Sequence, residues 1–345
     1  MRLGPLPARI LIVSDAWLPQ VNGVVRTLQA VSAELRTMGH VVEIVGPDRF
    51  PTIPCPTYPD IRLSLLPARR LNRMIEAFAP EALHIATEGP LGMAARTWAL
   101  RRGCAFTTAF HTRFPEYVSA RIGVPTGWLY AWMRRFHNAG QRMMVATASL
   151  REELAQRGFR ALRDWSRGVD LALFRPAPAQ DWGLPRPVFA YVGRVAVEKN
   201  IAAFLDLDLP GSKVVVGGGP QLAALRRQYP HVHFAGPLFG EELAAAYAGS
   251  DVFVFPSLTD TFGLVVLEAL ACGTPVAAFD VTGPRDVLAD ASGCIGATGP
   301  DLRLAALAAL DADRAACRAH AERFSWRACA ETFLTHLVPL GGHRP

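Results

Sequence analysis

The sequence predicts an α/β protein made of two Rossmann-like domains, each built on a doubly wound parallel sheet, that face each other across a cleft. Short apolar runs alternate with amphipathic stretches through both halves of the 345-residue chain, which is the pattern of repeated β-α-β units. A proline-rich stretch at 174–187 interrupts this alternation once. Ligands of open parallel sheets bind outside the carboxyl ends of the strands, so two facing sheets predict a site in the cleft.

In the first half, the apolar runs are continuous rather than alternating, as expected of strands that are buried on both faces. An amphipathic run follows the first strand and ends at Gly39, a residue type that commonly closes helices. A second helix is predicted over 89–103, with Gly103 at its end. The predicted strands of this half are 9–15, 40–47, 82–87 and 105–111.

The stretch at 174–187 holds four prolines in fourteen residues, too many for a regular helix or a central strand. We interpret it as a hinge linker. After it, strands are predicted at 188–193, 213–218, 232–236, 251–257 and 274–279. The predicted organisation is a domain over 1–173, the linker, a domain over 188–325, and a C-terminal helix and tail over 326–345, with a return to the first domain as an option.

Composition narrows the class of protein. The six cysteines include no C-x-x-C pair, which argues against a zinc site or a disulfide framework and suits a reducing cytosol. The apolar runs are too short for a signal peptide or a membrane-spanning helix. We therefore expect a cytoplasmic protein, attached at most peripherally to the inner face of the cytoplasmic membrane.

The charge is unevenly distributed along the chain. Residues 1–170 hold 22 arginines and no lysine against 13 acids, a net charge of +9, whereas residues 171–345 hold 14 basic and 17 acidic residues, a net charge of −3. A basic half favours an anionic partner, either a lipid surface or a nucleic acid. The alternative is a general preference for arginine, because 34 of the 36 basic residues are arginine.

Two cations follow the first strand of the second half. Arg194 and Lys199 lie in the loop that leads to the next helix, where they could clamp a diphosphate. The alternative is a pair of solvated surface cations. Glycines at two other strand ends, Gly218 and Gly23, would let a ligand approach the backbone closely, although tight turns need glycine as well.

Two acids lie eight positions apart in an otherwise apolar stretch, 257–275. Asp260 precedes a predicted helix and Glu268 lies within it, where an unpaired carboxylate is costly. The backbone N–H groups of residues 262–264 are the uncapped donors of that helix. The hypothesis is that the two carboxylates hold opposite ends of one ligand. The alternative is a helix cap and a surface acid.

His111 ends the predicted strand at 105–111, where it could accept a proton or bind a sugar hydroxyl. A structural histidine is the alternative.

The stretch at 126–144 places Trp128, Trp132 and Phe136 one helical turn apart, next to Arg134 and Arg135. This combination suits the interface of an anionic bilayer, with 67–74 as a second basic candidate; the alternative is that the aromatic stripe packs into the core.

Taken in order, these stretches resemble retaining glycosyltransferases of the GT-B fold, specifically family 4, over about residues 9–335. The similarity is greatest to GDP-mannose-dependent α-mannosyltransferases and to sulfoquinovosyl- or glucuronosyl-diacylglycerol synthases. The stretches that carry it are "PQVNGVVRTL", "ATEGPLG", "FHTRFPEY", "SRGVDLALFRP", "GRVAVEK", "GGGP", "AYAGSDVFVFPSLTDTFGLVVLEALACGTPV" and "RFSWRACAETFL".

The resemblance implies a first domain that binds the acceptor and a second that binds the nucleotide sugar. Two residues differ from the family pattern: Asp260 stands in place of the first glutamate of the E-x7-E motif, and Gly218 stands where many relatives carry aspartate. The implied catalytic residues are His111, Arg194, Lys199 and Asp260. The implied donor-binding residues are Gly23, Arg194, Lys199, Gly218, Asp260, Thr261, Phe262, Gly263, Leu264 and Glu268.

The implied function is retaining transfer of a hexose (mannose, glucose or a glucuronic-type sugar) from a GDP- or UDP-linked donor to a lipid such as diacylglycerol. We expect no metal, because no D-x-D motif is evident, and no nucleic-acid partner. The expected partners are the nucleotide sugar, the lipid acceptor and an anionic membrane surface. One alternative is transfer to a soluble sugar or glycan; a remoter one is a non-catalytic, basic membrane- or nucleic-acid-binding protein on the same fold.

Overall fold

The computed structural model describes residues 8–20, 22–55, 58–176 and 178–341. The chain forms two compact units: unit 1 comprises Met1–Ser166 and Trp326–Pro345, and unit 2 comprises Arg167–Ser325. Predictions that concern residues 1–7 or 342–345, including the expected lack of a signal peptide and the end of the C-terminal tail, fall outside the described residues.

Within the described residues, these units contain fourteen strands and fourteen α-helices. The strands are β1 Arg9–Val13, β2 Val41–Val45, β3 Thr52–Cys55, β4 Tyr58–Ser64, β5 Ala82–Ile85, β6 Thr107–Phe110, β7 Arg142–Val145, β8 Leu162–Asp164, β9 Val188–Val192, β10 Ser212–Val216, β11 His233–Gly236, β12 Val252–Phe255, β13 Val276–Phe279 and β14 Gly296–Gly299. The helices are α1 Gly23–Thr37, α2 Ala68–Phe78, α3 Pro90–Arg101, α4 Phe114–Ile122, α5 Thr126–His137, α6 Ala148–Gln156, α7 Ile201–Leu205, α8 Leu222–Gln228, α9 Gly240–Ala248, α10 Leu264–Ala271, α11 Pro284–Leu288, α12 Leu302–Ala308, α13 Arg314–Ala321 and α14 Trp326–His336.

Unit 1 is built on a parallel six-stranded sheet in the order β2-β1-β5-β6-β7-β8, beside an antiparallel β3-β4 hairpin. Successive residues of β1 enter different cores. Ile10 and Ile12 pack in one cluster with residues of α1 and α14, whereas Leu11 and Val13 pack in another with residues of α2 and α3. Because both faces of the sheet are covered by helices, its strands are continuous apolar runs.

Unit 2 has a second parallel six-stranded sheet, in the order β11-β10-β9-β12-β13-β14. Every residue of its central strand β9 is buried. The prediction of two α/β domains with parallel sheets is therefore confirmed. Strands β7, β8 and β14 and the β3-β4 hairpin were not predicted, because these segments are short, polar or glycine-rich and are strands only through pairing with their neighbours.

The predicted linker packs on unit 2. The Gln180 N–H donates to the Ala245 carbonyl at 2.8 Å, and the Arg175 guanidinium pairs with Glu241 at 3.1 Å. The units divide between Ser166 and Arg167, rather than at the predicted 173/174 boundary. A hinge role for 174–187 stays a prediction, and Ala177 within it falls outside the described residues.

The C-terminal helix α14 belongs to unit 1. Phe333 is fully buried in the cluster that contains Ile10 and Ile12. The Trp165 indole N–H donates to the Cys329 carbonyl at 3.1 Å. The last helix therefore completes the core of the first sheet.

A buried carboxylate joins β1 to α3 in unit 1. Asp15 accepts hydrogen bonds from the N–H groups of Leu91 (2.8 Å) and Gly92 (3.1 Å) and from the Thr87 hydroxyl (3.0 Å). Burial raises its pKa from 3.8 to about 6, although these three hydrogen bonds oppose the shift and the charge of Glu88 adds to it. Asp15 therefore caps the first turn of α3 from outside the helix.

We predict that Asp15 makes stability depend on pH between about 4 and 6. The pKa is higher in the folded protein than in the unfolded chain, so the folded state binds more protons in this range. The free energy of unfolding should consequently fall as pH rises, by about 3 kcal/mol in total. The check is urea denaturation of the wild type and of Asp15→Asn, which lacks this titration. Relative to the wild type, the variant should gain stability as pH rises to about 6, and the difference should then stay constant. A difference that is constant with pH would contradict the assignment.

Candidate active site

The carboxyl edge of the unit 2 sheet carries most of the predicted site residues. The strand order runs outward from β9 to β10 and β11 on one side and from β12 to β14 on the other. The order therefore reverses between β9 and β12, the position at which open α/β sheets bind ligands. The loops that follow β9, β10 and β12 contain, respectively, residues 193–199, 217–219 and 256–263.

Two hydrogen bonds hold the loop after β9. The buried Tyr191 hydroxyl donates to the Arg194 carbonyl at 2.8 Å, while the Arg194 side chain is exposed. The Asn200 side-chain amide donates to the Pro256 carbonyl at 3.1 Å, which ties this loop to the loop after β12. Burial, followed by the charges of Asp260 and Glu198, raises the pKa of Tyr191 well above its usual range, so this hydroxyl stays protonated.

Lys199 and Asp260 form an ion pair that bridges the same two loops. The Lys199 ammonium donates to Asp260 Oδ1 at 2.7 Å and to Oδ2 at 2.9 Å. The side chains are 23% and 18% exposed, so the pair is partly shielded from water. The sequence predicted functional roles for both residues but not their pairing, and it placed Lys199 in an exposed loop.

The glycine-rich loop after β10 packs directly against the loop after β9. A Cβ on Gly217 (φ +144°) would overlap the Gly193 carbonyl, and one on Gly219 (φ +156°) would overlap the Val195 carbonyl. The Val195 N–H donates to the Gly218 carbonyl at 2.8 Å. Gly218 itself has space, since a Cβ there would meet only Pro237 Cγ at 3.9 Å. The two loops thus form a single backbone-to-backbone unit.

The loop after β12 turns sharply into α10. Gly263 is the N-cap residue with φ +84°, and no side chain caps the helix. Asp260 is therefore not the cap that the alternative interpretation proposed. Phe262 buries its ring, Thr261 is half-buried, and Leu264 begins the helix.

Glu268 lies in the second turn of α10 and is only 5% exposed. The hydroxyl of Tyr247, a fully buried residue of α9, donates to Glu268 Oε2 at 3.0 Å. A buried carboxylate needs such a partner. The surface-acid interpretation of Glu268 is thus incorrect, because the residue is part of the interior.

Two predicted residues belong to unit 1. Gly23 is exposed at the start of α1, where the Asn22 carboxamide accepts hydrogen bonds from the N–H groups of Val24 and Val25. His111 directly follows β6, is half-buried and lies edge-on to Trp165, with 5.7 Å between the ring centroids. Both therefore lie at the carboxyl edge of their own sheet.

Sequence comparisons match both units to known families. Residues 21–173 match the family described as Glycosyltransferase Family 4, and residues 186–311 match that described as Glycosyl transferases group 1. The GDP-mannose-dependent alpha-mannosyltransferase of Mycobacterium tuberculosis is 33% identical, with 81% of each chain covered. The chain belongs to glycosyltransferase family 4.

Other relatives extend the comparison. Sulfoquinovosyl transferase SQD2 of Arabidopsis thaliana is 32% identical over 82% of this chain and 61% of that protein. Alpha-monoglucosyldiacylglycerol synthase of Streptococcus pneumoniae is 25% identical over 78% of this chain and 70% of that protein. Among solved structures, sucrose-phosphate synthase of Thermosynechococcus elongatus superposes with a TM-score of 0.71 at 20% identity, covering 94% of this chain and 97% of that one. The fold class is GT-B, and the chain is a hexosyltransferase.

In this glycosyltransferase, sequence reasoning missed two supporting residues. Tyr247 interrupts the run of alanines in α9. Its hydroxyl group, 21 positions before a predicted buried acid, was the signal that could have indicated a partner for Glu268. Tyr191 carried no such signal, because a tyrosine in a buried strand looks like any other core aromatic residue.

We predict that two neighbouring glycines respond differently to alanine. Gly217→Ala should lower the free energy of unfolding by about 2 kcal/mol or more, because its Cβ meets backbone and its φ is unfavourable. Gly218→Ala is the matched control and should leave stability nearly unchanged, since its Cβ has space. Thermal unfolding of both variants measures the difference; equal stabilities would contradict the tight packing of the two loops.

Proposed function

We propose that the enzyme transfers a hexose from a nucleotide diphosphate sugar to a lipid acceptor with retention of anomeric configuration. The observation that carries this proposal is the Lys199–Asp260 pair beside the exposed Arg194, at the reversal in strand order of unit 2. Two cations and one carboxylate at this edge would suit an anionic, hydroxyl-rich ligand.

In the proposed complex, Arg194 and Lys199 stabilise the diphosphate, on which negative charge develops as the bond to the sugar breaks. Asp260 and the N–H groups of residues 262–264 bind hydroxyls of the transferred hexose, with Thr261 beside them. Glu268, held by Tyr247, binds the ribose hydroxyls. Gly218 provides backbone contact to the nucleotide.

The ion pair explains how Lys199 stays in place before the donor arrives. An ammonium group has three donors, so Lys199 can contact phosphate while it keeps one bond to Asp260. The remaining oxygen of Asp260 then becomes available to the sugar. These two cations offset part of the negative charge on the leaving group, and the proposal includes no metal.

On unit 1, we assign Gly23 to close approach of the donor phosphate and His111 to the transferred sugar and the acceptor. Support for a lipid acceptor comes from the relative named as a diacylglycerol glycolipid synthase. Among the described residues, no helix is long and apolar enough to cross a bilayer.

The proposal is tested by incubating the purified enzyme with UDP- or GDP-hexoses and diacylglycerol while nucleoside diphosphate release is measured. Release that depends on lipid supports the proposal, and nuclear magnetic resonance of the product identifies the anomer. Release that ignores lipid but responds to soluble sugars favours the alternative acceptor class. No release with any donor would overturn transferase activity in this assay.

We predict that Arg194→Ala and Lys199→Ala each lower kcat by about 100-fold or more, the scale of losing one charge-stabilising donor. Arg227→Ala, an exposed arginine of α8, is the matched control and should keep wild-type kcat. Lys199→Ala also leaves Asp260 without this cation, so its stability should be measured in parallel. Near-normal turnover in either variant would remove that residue from the diphosphate assignment.

We also propose peripheral attachment to anionic membrane through unit 1. The aromatic residues of helix α5 lie in different environments. Phe136 is buried, so the core interpretation is confirmed for that residue, whereas Trp128 is 75% exposed and Trp132 is partly exposed. Arg134 and Arg135 are exposed on the same helix. The second basic candidate, 67–74, follows the exposed Leu65 and Leu66 and carries exposed arginines on α2.

We predict that the enzyme co-sediments with vesicles that contain anionic lipid and is released as salt rises, because screening weakens the attraction between exposed charges. Replacement of Trp128 and Trp132 by serine should reduce the bound fraction if α5 is the contact. Equal binding to neutral and anionic vesicles, or no binding at low salt, would rule out electrostatic docking and leave the transferase assignment untouched.

A further inference from the structure

Glu88 lies at the carboxyl edge of the unit 1 sheet, in the loop between β5 and α3. Strand β5 is between β1 and β6, and the strand order of unit 1 reverses between β1 and β5. Glu88 therefore lies at the position in the unit 1 sheet that corresponds to the loop after β12 in the unit 2 sheet. His111 follows the adjacent strand β6, so the two residues extend from neighbouring strand ends.

Asp15 contacts the residues on both sides of Glu88. The Asp15 N–H donates to the Thr87 hydroxyl oxygen at 2.6 Å, and that hydroxyl donates back to Asp15 Oδ2 at 3.0 Å. A Cβ on Gly89 would approach Asp15 Cγ to 2.5 Å, so only glycine fits against that carboxylate. The residues before and after Glu88 are thus fixed.

The side chain of Glu88 is held by a buried histidine. His137 Nε2 lies 2.9 Å from Glu88 Oε1, and Nδ1 lies 2.9 Å from the Thr108 hydroxyl. Phe136 and Phe159 pack against the imidazole, with centroid distances of 5.1 and 6.0 Å. A neutral imidazole satisfies both contacts if the Thr108 hydroxyl donates to Nδ1 and Nε2–H donates to Glu88.

Glu88 reaches solvent although its partner does not. The Glu88 side chain is 17% exposed, whereas the His137 side chain is fully buried. A carboxylate whose side chain is hydrogen-bonded, whose neighbouring residues are packed, and which still opens to solvent at a strand-order reversal has the geometry of a preorganised binding group.

We propose that Glu88 binds a hydroxyl group of the acceptor, with His137 as its positioning residue, and that the acceptor is neutral where it meets this edge. The inference rests on the proposed function and deepens its acceptor side. A carboxylate accepts hydrogen bonds from a glycerol-type or sugar-type polyol and repels phosphate. Asp15 adds a second acid nearby, and the charge of Glu88 contributes to the raised pKa of that group.

A purely structural role is the competing explanation, since the Glu88–His137 contact also ties α5 to the loop after β5. The two roles differ in what they change. A structural role alters stability and all kinetic constants together, whereas an acceptor contact alters the KM for the acceptor and the preference between neutral and phosphorylated acceptors.

The test compares Glu88→Gln with Glu152→Gln, an exposed acid on α6. The readouts are the KM for diacylglycerol, the KM for the donor, slow donor hydrolysis by water, and the ratio of kcat/KM for diacylglycerol to that for phosphatidylglycerol, a phosphorylated lipid that keeps free hydroxyl groups. For Glu88→Gln we expect an acceptor KM about tenfold higher, the scale of one hydrogen bond to a charged group, and a lower ratio. Donor KM and donor hydrolysis should stay unchanged. Glu152→Gln should match the wild type in every readout.

His137→Phe removes the hydrogen bond to Glu88 but keeps its charge. Its acceptor KM should rise while the preference for the neutral lipid persists; if this variant does not fold, Glu88→Gln alone decides the test. An unchanged acceptor KM and ratio in folded Glu88→Gln would overturn the inference, as would a parallel loss of donor hydrolysis and transfer. If the wild type consumes no donor, the proposed function fails instead, and that outcome is visible before any variant is made.

Discussion

The ion pair between Lys199 and Asp260 is the interaction on which the carboxyl edge of the unit 2 sheet depends. It joins the loops that follow β9 and β12, on either side of the reversal in strand order. Because both side chains are partly shielded, removal of one leaves a charge that water compensates incompletely. In the proposed complex, the same pair keeps Lys199 and Asp260 in place before any ligand arrives. Stability and function of this edge are therefore coupled through one contact.

Backbone packing provides the rigidity around that pair. Gly217 and Gly219 have no side chains where the carbonyl groups of Gly193 and Val195 approach, so the loops after β9 and β10 pack backbone against backbone. The Tyr191 hydroxyl supports the same loop from within the sheet. A site whose loops are fixed in this way loses less conformational freedom when the donor binds.

Net charge and local charge differ in unit 1. The first 170 residues carry a net charge of +9, yet the carboxyl edge of their sheet holds Asp15 and Glu88, whose charges interact. Exposed arginines lie instead on α2 and α5. This separation fits both proposals for unit 1: the basic helices would bind an anionic surface, and the acidic edge would bind neutral hydroxyl groups. Arg113, which follows β6 at the same edge, is paired with Glu153. On unit 2, Arg194 and Lys199 lie at the carboxyl edge.

The sequence by itself determined the two parallel-sheet domains, the strands that are buried on both faces, and the positions of Arg194, Lys199 and Glu268 relative to strand ends. These features follow from local patterns of apolar residues and turns, which a single chain segment contains. The tertiary structure alone decided that Lys199 pairs with Asp260, that Tyr247 holds Glu268, and that His137 orients Glu88. Each of these contacts joins residues that are 21 or more positions apart. Such contacts depend on how the strands are ordered in the sheet and on which helix faces pack together, and no local pattern encodes that order.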